Sequence, residues 1–263
     1  MTIIPKKSLG QNFLLNKEII KKIVDLGKIT NESTIIEIGP GTGNLTQELI
    51  KKKPKKFIAI EKDKALYEKL KNKYQTELDL INKDVLKIQW DQFLNQNVTI
   101  FGNLPYNISA KLLIQWISLN NFNNIFKKFI LMFQKEVADR IVADVNSKKY
   151  GRLSIFTNWK LNSKKIIDIN PENFFPKPKI KSSLVYFEPR KDIFILKNSK
   201  NLELVTNTFF QNRRKMIKKP LNILFKNSNN IIKKFKLDEK CRPQNLDPLT
   251  FFKISKEYED KSN

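Results

Sequence analysis

The chain has 263 residues, enough for one large domain and a small one, and 40% of them are hydrophobic, 19 being Phe. Its formal net charge of +24, from 50 Lys and Arg against 26 Asp and Glu, favours a polyanionic partner, although Lys, Asn, Ile and Phe are residues of AT-rich codons and account for part of that basicity. The absence of histidine excludes the Ser-His-Asp triad, the Cys–His pair, most zinc sites and the commonest general base.

In chain order, Glu18-Ile19-Ile20-Lys21-Lys22-Ile23-Val24 places apolar residues at helical spacing and predicts a lead-in helix. Strands are expected over 34–38, 57–60, 79–81, 98–101 and 129–133, and helices over 45–51, 64–73, 110–119 and 135–146. That alternation means βαβ units and a parallel sheet. Two later β-like runs, 154–161 and 182–187, read as an antiparallel edge pair. A boundary is expected near Pro189-Arg190-Lys191-Asp192, after which 202–214, 220–225, 231–235 and 250–258 read as helices in a very basic context. The expected fold class is therefore α/β, with an α/β domain over residues 1–189 and a small all-α domain over 190–263. No run reaches the ~18 apolar residues of a membrane span, and Met1-Thr2-Ile3-Ile4-Pro5-Lys6-Lys7 has no apolar signal core. The single cysteine, Cys241, forms no internal disulfide and fits a reducing compartment.

The chemistry gathers at predicted strand ends, where open α/β sheets hold ligands. Glu37-Ile38-Gly39-Pro40-Gly41-Thr42-Gly43 links a strand to a helix, and its glycines, Gly41 among them, let backbone approach a ligand. Asn44 stands where a dinucleotide fingerprint has its last glycine, which favours S-adenosylmethionine (SAM) over NAD. Glu61 ends the second strand, where an acid takes two ribose hydroxyls. Asp84 follows the third, with Val85 and Leu86 beside it for an adenine ring. After the fourth comes Asn103-Leu104-Pro105-Tyr106, an amide, a rigid turn and a flat aromatic, the parts needed to hold a purine amine before an electrophile. Such a transfer needs no imidazole, because a sulfonium methyl is already activated. The run Arg213-Arg214-Lys215-Met216-Ile217-Lys218-Lys219 is the expected phosphate grip, with Arg213, Arg214, Lys215 and Lys218 meeting RNA.

Together with Lys7-Ser8-Leu9-Gly10-Gln11-Asn12-Phe13-Leu14, Gln134-Lys135-Glu136-Val137-Ala138-Asp139-Arg140, Tyr150-Gly151-Arg152-Leu153-Ser154, Phe174-Phe175-Pro176-Lys177-Pro178-Lys179 and Asn212-Arg213-Arg214-Lys215, these motifs resemble the KsgA/RsmA family of rRNA adenine-N6 dimethyltransferases along essentially the whole chain. Phe133 and Asn146 depart from the pattern, where a smaller apolar residue and a glycine are expected. The resemblance implies a Rossmann-like SAM-dependent methyltransferase domain followed by a small helical RNA-binding domain. It implies SAM contacts from Asn12, Leu14, Gly39, Glu61, Asp84 and Asn103, and two methyl groups on each of two adjacent adenosines near the 3′ end of small-subunit rRNA. No metal is expected.

On this reading the Asn103 side-chain oxygen and the Leu104 carbonyl accept the two N–H bonds of the adenine amine, and Pro105 aims that carbonyl. Tyr106 stacks on one face of the flipped base. Phe174 is either a core aromatic beneath Pro176 or a ring that packs on the other face of the base or against the cationic methyl; its place beside the Pro-Lys-Pro-Lys turn and the resemblance favour the second role. Two other readings share the motifs: a large-subunit rRNA methyltransferase conferring antibiotic resistance, and a ribosome-assembly factor that binds immature subunits with little catalysis. The expected partners are small-subunit rRNA and the assembling small subunit, with no membrane, for a monomer in a bacterial cytoplasm; the basic start leaves an organelle open.

Overall fold

The computed structural model describes residues 5–6, 9–74 and 76–261; Lys7 and Ser8 of the first motif lie outside the described residues. The chain divides into two compact units, residues 1–138 with 163–189, and residues 139–162 with 190–263.

The first unit opens with the short strand β1 (Phe13–Leu14) and helix α1 (Lys17–Gly27). Asn16 caps α1, its side chain accepting from the Glu18 and Ile19 amides at 3.0 Å, and Ile20, Ile23 and Val24 form its buried face. There follow β2 (Thr34–Ile38), α2 (Asn44–Ile50), β3 (Lys56–Glu61), α3 (Lys64–Tyr74), β4 (Asp79–Asn82), β5 (Val98–Asn103), α4 (Tyr106–Ile117), α5 (Phe122–Ile125) and β6 (Phe126–Gln134). The strands form a sheet in the order β4-β3-β2-β5-β6, all parallel. Their near-continuous apolar runs are what a sheet covered on both faces requires. Trp90, Trp116, Phe122, Phe126 and Phe129 close one side, Trp90 meeting Trp116 edge-on at 5.4 Å.

Beyond β6 come α6 (Lys135–Ile141), α7 (Arg152–Lys160), β7 (Leu161–Ile169), β8 (Phe174–Phe175) and β9 (Ser182–Pro189). Strand β9 adds to β6 antiparallel, and β7 lies beyond it as the sheet edge. Strand β8 instead pairs with β1, antiparallel, in a separate two-stranded ladder.

The expected strand over 154–161 is a correction: residues up to Lys160 form helix α7, and only Leu161 begins a strand. Ser154 explains the start of the helix, its hydroxyl accepting from the Gly151 amide at 3.1 Å and donating to the Arg140 carbonyl at 2.6 Å. Ile155, Phe156, Thr157 and Trp159 are all buried. A helix enclosed on most sides shows no amphipathic period, so its pattern reads as a strand. The helix expected over 135–146 likewise stops at Ile141. Asn146, standing where a glycine is expected, has a φ of +72°, a left-handed conformation that Asn tolerates better than most residues.

The second unit contains α8 (Ser199–Gln211), α9 (Lys218–Leu224), α10 (Ser228–Phe235) and α11 (Pro248–Lys261). Helix α7 packs with α8 and α11, which is why residues 139–162, assigned by sequence to the first domain, belong here. Phe209 and Phe251 meet edge-on at 5.3 Å, and the Tyr150 hydroxyl donates to the Leu246 carbonyl at 2.9 Å. The buried Glu259 accepts from the Lys197 and Asn198 amides and the Asn201 side chain.

Candidate active site

Strand β2 lies beside β5, and the chain runs from β2 to β3 on one side and from β5 to β6 on the other, so these connections diverge and a crevice opens at the carboxyl ends of β2 and β5. The register sets Ile38 opposite Gly102, which brings Gly39 and Asn103 to the mouth of that crevice together. The resulting cavity is lined by Asn12, Leu14, Gly39, Gly41, Glu61, Asp84 and Asn103, every cofactor residue expected from sequence, and by Pro105.

The floor is the glycine turn. Gly39 has a φ of +67° and nothing within 4 Å of where a Cβ would stand, while Gly41 has a φ of +60° and its Cβ would lie 2.8 Å from the Phe13 ring. At Gly41 a side chain is thus opposed by both backbone and neighbour. The Tyr74 hydroxyl donates to the Gly43 carbonyl at 3.1 Å, and the Asn44 side chain donates to the Leu14 carbonyl at 2.8 Å, joining β1 to the turn.

Glu61 is fixed at both oxygens, Oε2 accepting from the Gly41 amide at 3.1 Å and Oε1 from the Asp63 amide at 2.8 Å. Burial raises its pKa above the ordinary carboxylate value, against the pull of those two amides. Each oxygen retains a lone pair for a ligand hydroxyl. At Asp84, burial would raise the pKa, but the Lys62 ammonium at 2.9 Å and the Leu86 amide at 3.0 Å outweigh it and hold the carboxyl low. Val85 and Leu86 add an apolar wall.

Glu37, buried beneath the glycine turn, is pushed up to about 8 by its burial, with the Thr46 hydroxyl at 2.7 Å opposing and the nearby Glu61 adding to the rise. Its ordinary value is 4.5, so between the two the folded chain keeps a proton that the unfolded chain releases. The stabilisation this provides is complete on the acid side and is lost as pH rises to about 8. Glu37→Gln keeps an acceptor for Thr46 and is expected to flatten that slope. Urea midpoints at the two ends of the window measure it, and a wild-type pH dependence in the variant would refute the assignment.

The Asn103 side-chain nitrogen donates to the Asn12 carbonyl at 2.6 Å, which fixes the amide orientation. Its Oδ1 and the Leu104 carbonyl have no hydrogen-bond partner among the described residues. The Leu104 side chain is buried against Gly102, and neither Leu104 nor Tyr106 is among the residues that line the cavity. Pro105 is the residue that caps α4, its carbonyl accepting from the Ile108 and Ser109 amides. Tyr106 is half-buried, and its hydroxyl shares a 2.6 Å hydrogen bond with Ser182, so its ring is held in place. Phe174 lies apart from these residues: it opposes Leu14 in the β1–β8 ladder and is buried in the core behind the cavity.

Sequence reading missed the anchor of the N-terminal segment. Asp63 caps α3 through the Ala65 amide at 2.9 Å and also takes the Lys6 ammonium and the Gln11 side chain, each at 3.1 Å. Isolated charges in so basic a chain carry no pattern that would have found it. The basic run is also more divided than expected. Arg213 is used inside its own unit, donating to Gln244 at 3.2 Å and to the Ser147 carbonyl at 3.1 Å. Lys218 pairs with Glu239 at 2.8 Å. Arg214 and Lys215 lie exposed in the turn after α8, and of the interleaved apolar pair Ile217 is buried while Met216 is not.

The profile of a family described as ribosomal RNA adenine dimethylase matches residues 5–260. A protein of Pelagibacter ubique named ribosomal RNA small subunit methyltransferase A is 52% identical over 260 residues, 99% of each chain. A crystal structure of a dimethyladenosine transferase from Plasmodium falciparum superimposes with a TM-score of 0.79 at 28% identity, covering 95% of this chain and 98% of the other. The 23S rRNA methyltransferase ErmE, 19% identical with a TM-score of 0.70 over 94% of this chain and 99% of its own, shares the fold.

Proposed function

The chain belongs to the ribosomal RNA adenine dimethylase family, and from that premise we propose that it transfers methyl groups from SAM to N6 of two adjacent adenosines near the 3′ end of small-subunit rRNA. Its activity is methyl transfer to adenine in ribosomal RNA, on a Rossmann-like fold. The observation that carries the finer reading is the pair of unclaimed acceptors at the carboxyl end of β5, Asn103 Oδ1, which lines the cavity with Glu61 and Asp84, and the carbonyl of Leu104 beside it.

The cavity fits the methyl donor. Glu61 has free lone pairs for two ribose hydroxyls, Asp84 an acceptor for an adenine amine, and Asn12, Leu14, Gly39 and Gly41 complete the cradle. When bound, SAM supplies a methyl group activated by its sulfonium. The protein's own contribution is orientation. Asn103 Oδ1 and the Leu104 carbonyl each accept one N–H of the target amine, drawing its nitrogen towards a pyramidal shape with the lone pair aimed into the cavity. Tyr106 supports one face of the base, a contact worth ~1–3 kcal/mol. Phe174, buried in the core against Leu14, has no part in stacking on the base and supports the site only through that ladder partner.

Arg214 and Lys215 are assigned to phosphate contact, with Arg213 and Lys218 supporting the turn that presents them. Arg214→Glu with Lys215→Glu is expected to weaken subunit binding and to lower the salt slope of log K by about one per lost contact. Arg213→Glu should lower the melting temperature instead. Filter binding across a salt series separates the two, and an unchanged slope would exclude Arg214 and Lys215 from the interface.

The relative in Pelagibacter favours the small subunit as substrate over the large-subunit reading. The assembling subunit is the natural form of that substrate, the enzyme acting as a monomer in a bacterial cytoplasm; no helix among the described residues is long and apolar enough to cross a membrane. The test is labelled SAM with small and large subunits that lack the modification, read by nucleoside mass spectrometry. Dimethyladenosine confined to small-subunit rRNA is expected. Label in large-subunit rRNA would move the chain to the resistance class, and tight binding without transfer would make it an assembly factor.

A further inference from the structure

The β1–β8 ladder has two faces. Leu14 and Phe174, directly opposed, pack in the core, Leu14 also reaching the cavity. Alternation along a strand sends Phe13 and Phe175, also directly opposed, to the other face. There Phe13 lines the cavity with its ring against Gly41, whereas Phe175 is 56% exposed. Leu15, on that same face and joined to Asn173 by a 2.8 Å backbone hydrogen bond, is 52% exposed. An apolar strip therefore starts at the cavity wall and runs outward from it. The segment that follows Phe175 carries exposed Lys177, Lys179 and Lys181, of which Lys177 is paired with Glu172 at 2.8 Å. A flat aromatic surface followed by cations is the combination that binds an unpaired nucleotide strand.

Resting on the function proposed above, we propose that Phe175 is a stacking platform for the nucleobase adjacent to the adenine being methylated, with Lys179 and Lys181 facing that strand's phosphates. A substrate of two adjacent adenosines creates the need for such a platform. While one base occupies the cavity, its neighbour has to be held within reach and out of the way. Stacking tolerates any base, so the platform serves either adenosine in turn.

The full chain and its Phe175→Ala, Phe175→Trp and Phe175→Leu variants would be compared on unmethylated small subunits, by single-turnover methyl transfer at limiting subunit, by filter binding of the subunits and by calorimetric titration of SAM. Phe175→Ala is expected to slow transfer and weaken subunit binding by about five-fold or more, the lower range of what base stacking contributes, at unchanged SAM affinity. Phe175→Trp should restore both and Phe175→Leu neither. Wild-type rates in Phe175→Ala would overturn the platform. Restoration by Leu as well as Trp would also overturn it, by showing an apolar protein contact, and lost SAM affinity would do so by making Phe175 part of the cofactor wall. If the unaltered chain methylates neither subunit, the enzyme reading fails separately, and the binding series still reads the stack.

Discussion

Asn103→Ala is expected to lower single-turnover methyl transfer by about a hundred- to a thousand-fold, the range seen when one preorganised polar group aimed at a reacting centre is removed. Subunit binding should change only a few-fold. The split follows from geometry. The Asn103 amide nitrogen is committed to Asn12, and its oxygen has no partner among the described residues, so its interaction forms with the target amine and not with the body of the RNA. Asn103→Asp is the sharper variant, because it keeps an acceptor but replaces the donor to Asn12 with an oxygen. It should lose the orientation of the group, and a charged carboxylate facing a carbonyl costs more than the missing bond. Equal losses of binding and rate in Asn103→Ala would show that the residue holds the fold and not the amine.

Glu61→Gln is expected to weaken SAM binding by about ten- to a hundred-fold, since hydrogen bonds to a charged group contribute ~1.5–3 kcal/mol against ~1.4 per factor of ten. Calorimetric titration gives the affinity directly. The wild-type affinity should also fall on acidification, because burial lifts the Glu61 pKa and a protonated carboxyl loses acceptor capacity. The variant should lack that acid limb. An affinity equal to that of the wild type would assign Glu61 to bridging the Gly41 and Asp63 amides alone.

What was legible in the sequence is what lies at strand ends. Lys56–Glu61 and Val98–Asn103 are apolar runs that stop on a polar residue, and Thr34–Ile38 runs straight into the glycine turn; in a parallel sheet those stops converge on one edge. Glu61, Asp84 and Asn103 could therefore be placed together without coordinates. Helix α7 could not be read correctly, because enclosure removes the polar face that gives a helix its period. The faces of Phe174 and Phe175 were equally hidden. Their assignment follows from the pairing of β8 with β1, and a register between segments so distant leaves no trace in local spacing. The division of the basic run had the same origin: Arg213 and Arg214 look alike until Gln244 and the Ser147 carbonyl claim one of them.

The pairing of Leu14 with Phe174 and of Phe13 with Phe175 has a consequence for synthesis. Phe13 and Leu14 line the cavity and are made at the start of translation, whereas the strand they pair with is made late, so the glycine turn and its acids emerge well before that ladder can form. Closing so long a loop is entropically unfavourable until the intervening sheet has condensed. Affinity for the methyl donor should therefore arise abruptly and late on the nascent chain, and a polypeptide arrested before β8 should bear Glu61, Asp84 and Asn103 without retaining the cofactor.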